Sequence, residues 1–253
     1  MYITSPLDQF EIKDLLGLYS PFIDFSMFNV TTFSLYTMIL LFIFTLFNYS
    51  ILTDMNIKGS KWLLYQETLH DTLMNMVKGQ VTGKFWGNYY PLIYTMFVFI
   101  FMTNMISMIP YSFALTSHMI MVVSTSMMIW MGVTIIGFQR HGTHFFSLFV
   151  PVGTPLYLVP LLVLIELLSY VARSLSLGLR LSANVLSGHL LLMILSGLLY
   201  NFMTINMCTF TVSMIPLLTM LGIVCLEFAI TIIQAYVWSI LMSTYLKDTL
   251  YLH

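Results

Sequence analysis

Along this chain apolar and polar positions fall into long separate blocks. Stretches free of Asp, Glu, Lys and Arg run from Phe25 to Thr53, Phe85 to Gln139, Leu181 to Leu226 (with His189 inside) and Phe228 to Leu246. A bilayer crossing needs about 20 apolar residues, so each block holds one or more spans. Hydrocarbon offers no partner to an open strand edge, which makes helices the expected form. The pattern predicts a span over 32–52, a hairpin of spans over 91–109 and 118–138, and two longer helices over 155–199 and 210–245. Between the first two spans, Trp62, Leu63, Leu69, Leu73, Met76 and Val77 interleave with Lys61, Glu67, His70, Asp71 and Lys78 at helical spacing. That predicts an amphipathic helix over 61–79 on the membrane surface, too polar to cross. Pro91 and Pro110 bracket the second span as start and stop signals, and Pro151, Pro155 and Pro160 precede or open the fourth helix. Residues 1–30 form an outer N-terminal segment whose acidic start (Asp8, Glu11, Asp14, with Lys13) is unlike the basic start of a secretory signal. The expected fold class is an all-α integral membrane protein with five spans and one surface helix, organised as a single membrane domain.

Composition sharpens this. Of 253 residues, 59% are apolar and 8% charged, against roughly 25% charged in soluble domains. A chain of this size has too little interior to hide that much apolar surface from water. A net charge of -1 gives no basic footprint for nucleic acid. Cys208 and Cys225 lie in apolar runs and read as packing residues; neither a CxxC pair nor a metal or cofactor motif is present in the sequence.

The basic residues assign the sides. Lys58, Lys61, Lys78, Lys84, Arg140 and Lys247 fall on one face of the predicted topology, whereas the loops near Pro110 to Ser117 and Tyr200 to Cys208 carry none. By the positive-inside rule the N-terminus is outside; the amphipathic helix, the loop with His141 and His144, and the C-terminus are inside.

A few ionisable residues stand within the spans. Glu166, Arg173 and Arg180 are seven residues apart, two helical turns, and so share a narrow stripe with Ser169, Ala172, Ser176, Ala183 and Ser187. Small residues admit a close partner helix, which a guanidinium among them would meet directly. An Arg at mid-helix costs roughly 2.5–3.5 kcal/mol on insertion scales, which makes function the default reading. The competing reading, neutralisation by Glu166 or Glu227 for packing alone, is weaker for Arg180 and about even for Arg173, which can snorkel to the inner surface. Glu227 and Gln234 share a face of the last helix, Glu227 in the outer half. His189, also outer, lies about 180° around the helix from Arg180 and serves a different surface. A lone His among leucines is often only a packed core residue; the outer carboxylate Glu227 favours a proton-carrying pair. The titratable groups thus form an outer set (His189, Glu227) and an inner set (Glu166, Asp248), with Arg180 between them in depth. An Arg does not give up its proton, so it can act as a barrier and as an attractor for a carboxylate on a partner helix.

The segment Ser174-Leu-Ser-Leu-Gly-Leu-Arg180-Leu-Ser-Ala-Asn184, followed by Gly188-His189, resembles the signature of subunit a of rotary F-type ATP synthases, and most closely the fungal mitochondrial form. Arg180, Asn184, His189, Glu227 and Gln234 all stand at family spacing, and the resemblance extends through Ile106 to Phe113, Leu148 to Pro155 and Tyr245 to Asp248. It implies a strongly tilted hairpin of the last two helices against a ring of subunit c, beside other stator subunits and lipid. Arg180 would face the ring carboxylates. His189, Asn184, Glu227 and Gln234 would line the half-channel from the intermembrane space, and Glu166 with Asp248 the matrix half-channel, with Arg173 also on the proton path. The implied protein is a non-catalytic, proton-conducting part of a complex in the mitochondrial inner membrane. Ser182-Ala183 replaces the Phe-Gly usual in bacterial forms, which read as lineage variation. The 21 methionines fit organelle-encoded codon usage. The alternatives are a redox-linked proton pump, for which His118 and His189 are the only histidines within or bordering spans and define no haem site, and a secondary transporter, for which no internal repeat is present.

Overall fold

The computed structural model describes residues 10–17, 29–53, 61–81, 86–109, 112–150, 155–205 and 207–251. Lys58, Lys84, Pro110, Pro151 and most of the N-terminal segment lie outside the described residues. The fold is that of an all-α membrane protein. Its helices are α1 (Thr32–Thr53), α2 (Lys61–Gln80), α3 (Trp86–Ser107), α4 (Met119–His141), α5 (Val159–Ile205), α6 (Met207–Val212) and α7 (Met214–Leu250). Among the described residues five segments are long and apolar enough to cross a membrane: Thr32–Tyr49, Trp86–Ser107, Met119–Phe149, Val159–Thr204 and Phe210–Leu250. Beside these helices the described residues hold a short antiparallel ribbon in which Asp14–Leu16 pairs with Val30–Thr31.

The ends of the helices follow from local chemistry. Thr31 caps α1, its Oγ1 accepting from the Ser34 amide at 3.3 Å. α3 starts at Trp86, five residues before Pro91, which lies inside the helix and forfeits one backbone bond. That extra turn is held by tertiary contacts: Lys78 Nζ lies 4.6 Å from the Trp86 ring centroid, and the Tyr90 hydroxyl is 2.7 Å from His70 Nδ1. Gly142, with φ +54, takes the left-handed conformation that ends α4, and a 3-10 segment continues to Phe149. His118 therefore sits just before α4, after a 3-10 turn over Leu115–Ser117. α5 starts four residues later than the proline pattern suggests, because Pro155 leads a 3-10 turn (Leu156–Leu158) and Pro160 occupies the second helical position, where no N–H is needed. The final apolar block splits at Ser213, whose Oγ donates to the Phe210 carbonyl, and Pro216 lies in the first turn of α7.

The chain divides into two compact units: residues 1–59, 99–118 and 182–234, and residues 60–98, 119–181 and 235–253. Within the first, Phe33 and Tyr36 of α1 meet Phe113, with centroids 6.4 and 5.7 Å apart, and His118 joins the same ring cluster. Within the second, α2 buries Leu73 and Val77 and meets α7 through Met76, whose sulfur accepts from the Ser239 hydroxyl at 3.7 Å. α4 and α5 pack closely there. A Cβ on Gly178 would come within 2.7 Å of Ser126 Oγ and 3.2 Å of the Val122 carbonyl, so glycine permits the approach.

Candidate functional site

In the second unit, α5 turns Ser174, Leu177, Gly178 and Leu181 inward, all buried. The Ser174 hydroxyl reaches Met127 Sδ on α4 at 3.7 Å. The helix has one packed face here, and the small-residue stripe lies on the other: Ser169, Ala172, Ser176 and, beyond the unit, Ala183 and Ser187 are exposed. Arg180 is exposed on that stripe, and among the described residues no carboxylate pairs with it. Glu166 is half-buried two turns before Arg173.

Arg173 has a partner that the sequence did not indicate. Its Nη1 lies 3.8 Å from Asp248 Oδ2 on α7, and its guanidinium stacks over the Tyr245 ring at 6.0 Å. Neither Glu166 nor Glu227 is the counter-ion in this structure. Both side chains of the pair are more than 40% exposed, so its contribution to stability is small.

His189, Glu227 and Gln234 belong to the first unit. α7 buries a stripe of Glu227, Thr231 and Gln234, spaced four and three residues apart on one face. The Thr231 hydroxyl donates to the Glu227 carbonyl at 2.9 Å, which leaves the carboxylate itself unengaged by it. Glu227 Oε1 and Gln234 Nε2 are buried without hydrogen-bond partners among the described residues. The carboxylate faces α5 at Gly188: a Cβ there would collide with Oε1 and lie 2.8 Å from Cδ. Glycine in a helix interior costs about 1 kcal/mol relative to alanine; here it makes room for a carboxylate. His189 follows on α5, half-buried, with its ring edge-on to Phe10 at 6.2 Å. Asn184 is exposed one turn earlier, and its backbone carbonyl accepts from Ser187 Oγ.

Sequence reasoning thus missed Gly188 as the seat of Glu227, Phe10 as the neighbour of His189, and the Arg173–Asp248 pair. The isolated glycine beside a histidine in a leucine-rich helix was a usable signal for the first. No cluster of three or more His, Cys, Asp or Glu side chains suited to a metal is present among the described residues.

Long apolar helices that carry an arginine with no carboxylate partner among the described residues, a buried carboxylate and few other charges define the class as integral membrane proteins with ionisable groups inside the bilayer. The family model described as ATP synthase A chain matches residues 31–247, and the chain belongs to that family, the proton-translocating component of the ATP synthase membrane sector. It is 64% identical over 252 residues to ATP synthase subunit a of Eremothecium gossypii, covering all of this chain and 96% of the relative. Identity to ATP synthase subunit a of Kluyveromyces lactis is 64% over 255 residues, with 100% and 99% covered. For Saccharomyces cerevisiae it is 60% over 254 residues, with 100% and 97% covered. Proton transport and ATP synthesis follow from the family, and the redox-pump and transporter readings are set aside.

Proposed function

We propose that this chain is the stator subunit that conducts protons to and from the carboxylates of a rotating subunit c ring, through two offset half-channels separated by Arg180. It acts as a single membrane domain of the mitochondrial inner membrane, beside other stator subunits, and is not catalytic by itself. The N-terminus faces the intermembrane space and the C-terminus the matrix, in keeping with Lys61, Lys78, Arg140 and Lys247 on one side. His189, Asn184, Glu227 and Gln234 form the outer half-channel; Glu166, Asp248 and Arg173 form the inner one.

The observation that carries this reading is Arg180 itself, an exposed guanidinium on an exposed small-residue stripe with no carboxylate of its own chain beside it among the described residues. A permanent charge at that depth calls for an external anion. Helix length supports the same geometry. The 47 residues of α5 have a contour length of about 70 Å at ~1.5 Å per residue, against a hydrocarbon core of about 30 Å. A helix that long runs steeply inclined to the bilayer normal, and its stripe then lies along the membrane where a ring of upright helices can meet it.

Ala183 stands one turn from Arg180 on the stripe, so Ala183→Leu holds the ring helix away and weakens an attraction that falls with distance. ATP synthesis driven by a proton gradient should drop by about tenfold, the factor for roughly 1.4 kcal/mol of lost interaction, with the chain still inserted in the membrane. Wild-type synthesis in Ala183→Leu would show that nothing packs on this face.

A further inference from the structure

In the second unit three helices converge where Arg173 and Asp248 of the proposed inner half-channel stand in front of three buried polar groups to which that half-channel assigns no role. α5 presents Tyr170 and Arg173, and α7 presents Tyr245 and Asp248; each pair is spaced i, i+3 and so shares one helix face. The Arg173–Asp248 contact and the Arg173–Tyr245 stacking bring the two faces together. α4 closes the back with Trp130, whose ring centroid lies 5.8 Å from that of Tyr170. Tyr170 and Tyr245 are 6% and 4% exposed, whereas the side chains of Arg173 and Asp248 in front of them are 42% and 46% exposed.

The Tyr170 hydroxyl, the Tyr245 hydroxyl and the Trp130 indole nitrogen are all buried with no hydrogen-bond partner among the described residues. A buried donor left unmade forfeits its solvation, so three in one cluster form a costly arrangement that phenylalanines would avoid. Buried groups of this kind are met by water, which needs two to four polar partners, and two phenols, an indole, a guanidinium and a carboxylate supply them.

We infer that Tyr170, Tyr245 and Trp130 hold a short chain of water behind the Arg173–Asp248 pair, and that Tyr170 is a positioning residue of the inner proton path. This rests on the function proposed above. A phenol donates and accepts without ionising near neutral pH, so it orients water and keeps its own proton; the indole, a donor only, fixes a water by its lone pair. A proton released from the Asp248 carboxyl passes to the adjacent water, which gives one of its own to the next, so each water gains one proton and loses one. The half-exposed ion pair forms the mouth of this chain and the phenols its back wall. The charged and titratable groups facing Tyr170 are Arg173 on its own helix and Tyr245 and Asp248 on α7. α4 and the Gly142–Phe149 segment face it with Trp130 and the rings of Phe145 and Phe149.

Tyr170→Phe deletes one oxygen and keeps the ring, so the test is proton-driven ATP synthesis by the intact complex in its membrane, expressed per assembled complex and recorded against inner-side pH. The expected result is a loss of about five- to tenfold, the factor one hydrogen bond in the chain is worth, with a displaced inner-pH profile and unchanged dependence on outer pH. Trp130→Phe should give a smaller change in the same direction. A wild-type rate and inner-pH profile in Tyr170→Phe would overturn the inference, because removing an oxygen that binds nothing is neutral or stabilising. Arg180→Ala serves as the control. Retained synthesis there would overturn the underlying function, whereas its loss alongside a normal Tyr170→Phe would overturn this inference alone.

Discussion

Arg180→Ala is expected to stop proton-driven ATP synthesis while the complex still assembles. In the proposed function the guanidinium stands on the exposed stripe between the outer and inner sets of titratable groups, and unlike Arg173, which pairs with Asp248, it has no carboxylate of its own chain to neutralise it among the described residues. If it faces a ring carboxylate in a low dielectric, as proposed, loss of that pair costs on the order of 3–5 kcal/mol, or about two to four decades in rate. Removing the charge also removes the barrier to a proton moving straight across, so passive leak should rise. Arg180→Lys should fail as well. An ammonium has a different reach, presents no planar fork and can deprotonate when desolvated. Synthesis and leak are read on the same membranes, and near-normal synthesis in the lysine variant would remove Arg180 from the mechanism.

Under the proposed function Glu227→Gln should slow synthesis by roughly ten- to a hundredfold, less than the full effect of losing a proton-transfer group if water and Gln234 offer a bypass. The remaining rate should lose its dependence on outer-side pH, since an amide does not titrate. Gly188→Ala should act in the same direction without touching an ionisable group: its methyl occupies the space of the Glu227 carboxylate, which must move away from α5. The pair of variants separates proton carriage from packing. A loss in Gly188→Ala with an unchanged rate and pH profile in Glu227→Gln would assign Glu227 to packing.

What the sequence made legible was set by local chemistry. α1 was readable because a charge-free run lies between Asp24 and Asp54; the Thr31 cap that fixes its start emerged only in the structure. α2 was readable from its period, with Leu73 and Val77 on one face and Glu67, Asp71 and Lys78 on another. The end of α5 and the start of α7 were not, because phenylalanine and methionine continue past Leu199 and carry no stop signal; turn chemistry at Ser213 and Pro216 sets the start of α7. Pro91 was read as a helix start, since nothing local reveals that Lys78 and His70 hold the preceding turn in place. The stripe around Arg180 was visible because it lies within one helix. The Arg173–Asp248 pair and the Tyr170 cluster join helices distant in sequence, and only packing brings them together.

The claim that Arg180 looks onto the ring carboxylate is tested most directly by disulfide crosslinking in the assembled complex. Cysteines placed one at a time at Ser176 and Ala183, on the exposed stripe, and at Leu181, which is buried, are paired with a cysteine beside the carboxylate of subunit c. The account predicts crosslinks from Ser176 and Ala183 and none from Leu181. Equal crosslinking at all three, or crosslinking from Leu181 alone, would contradict it.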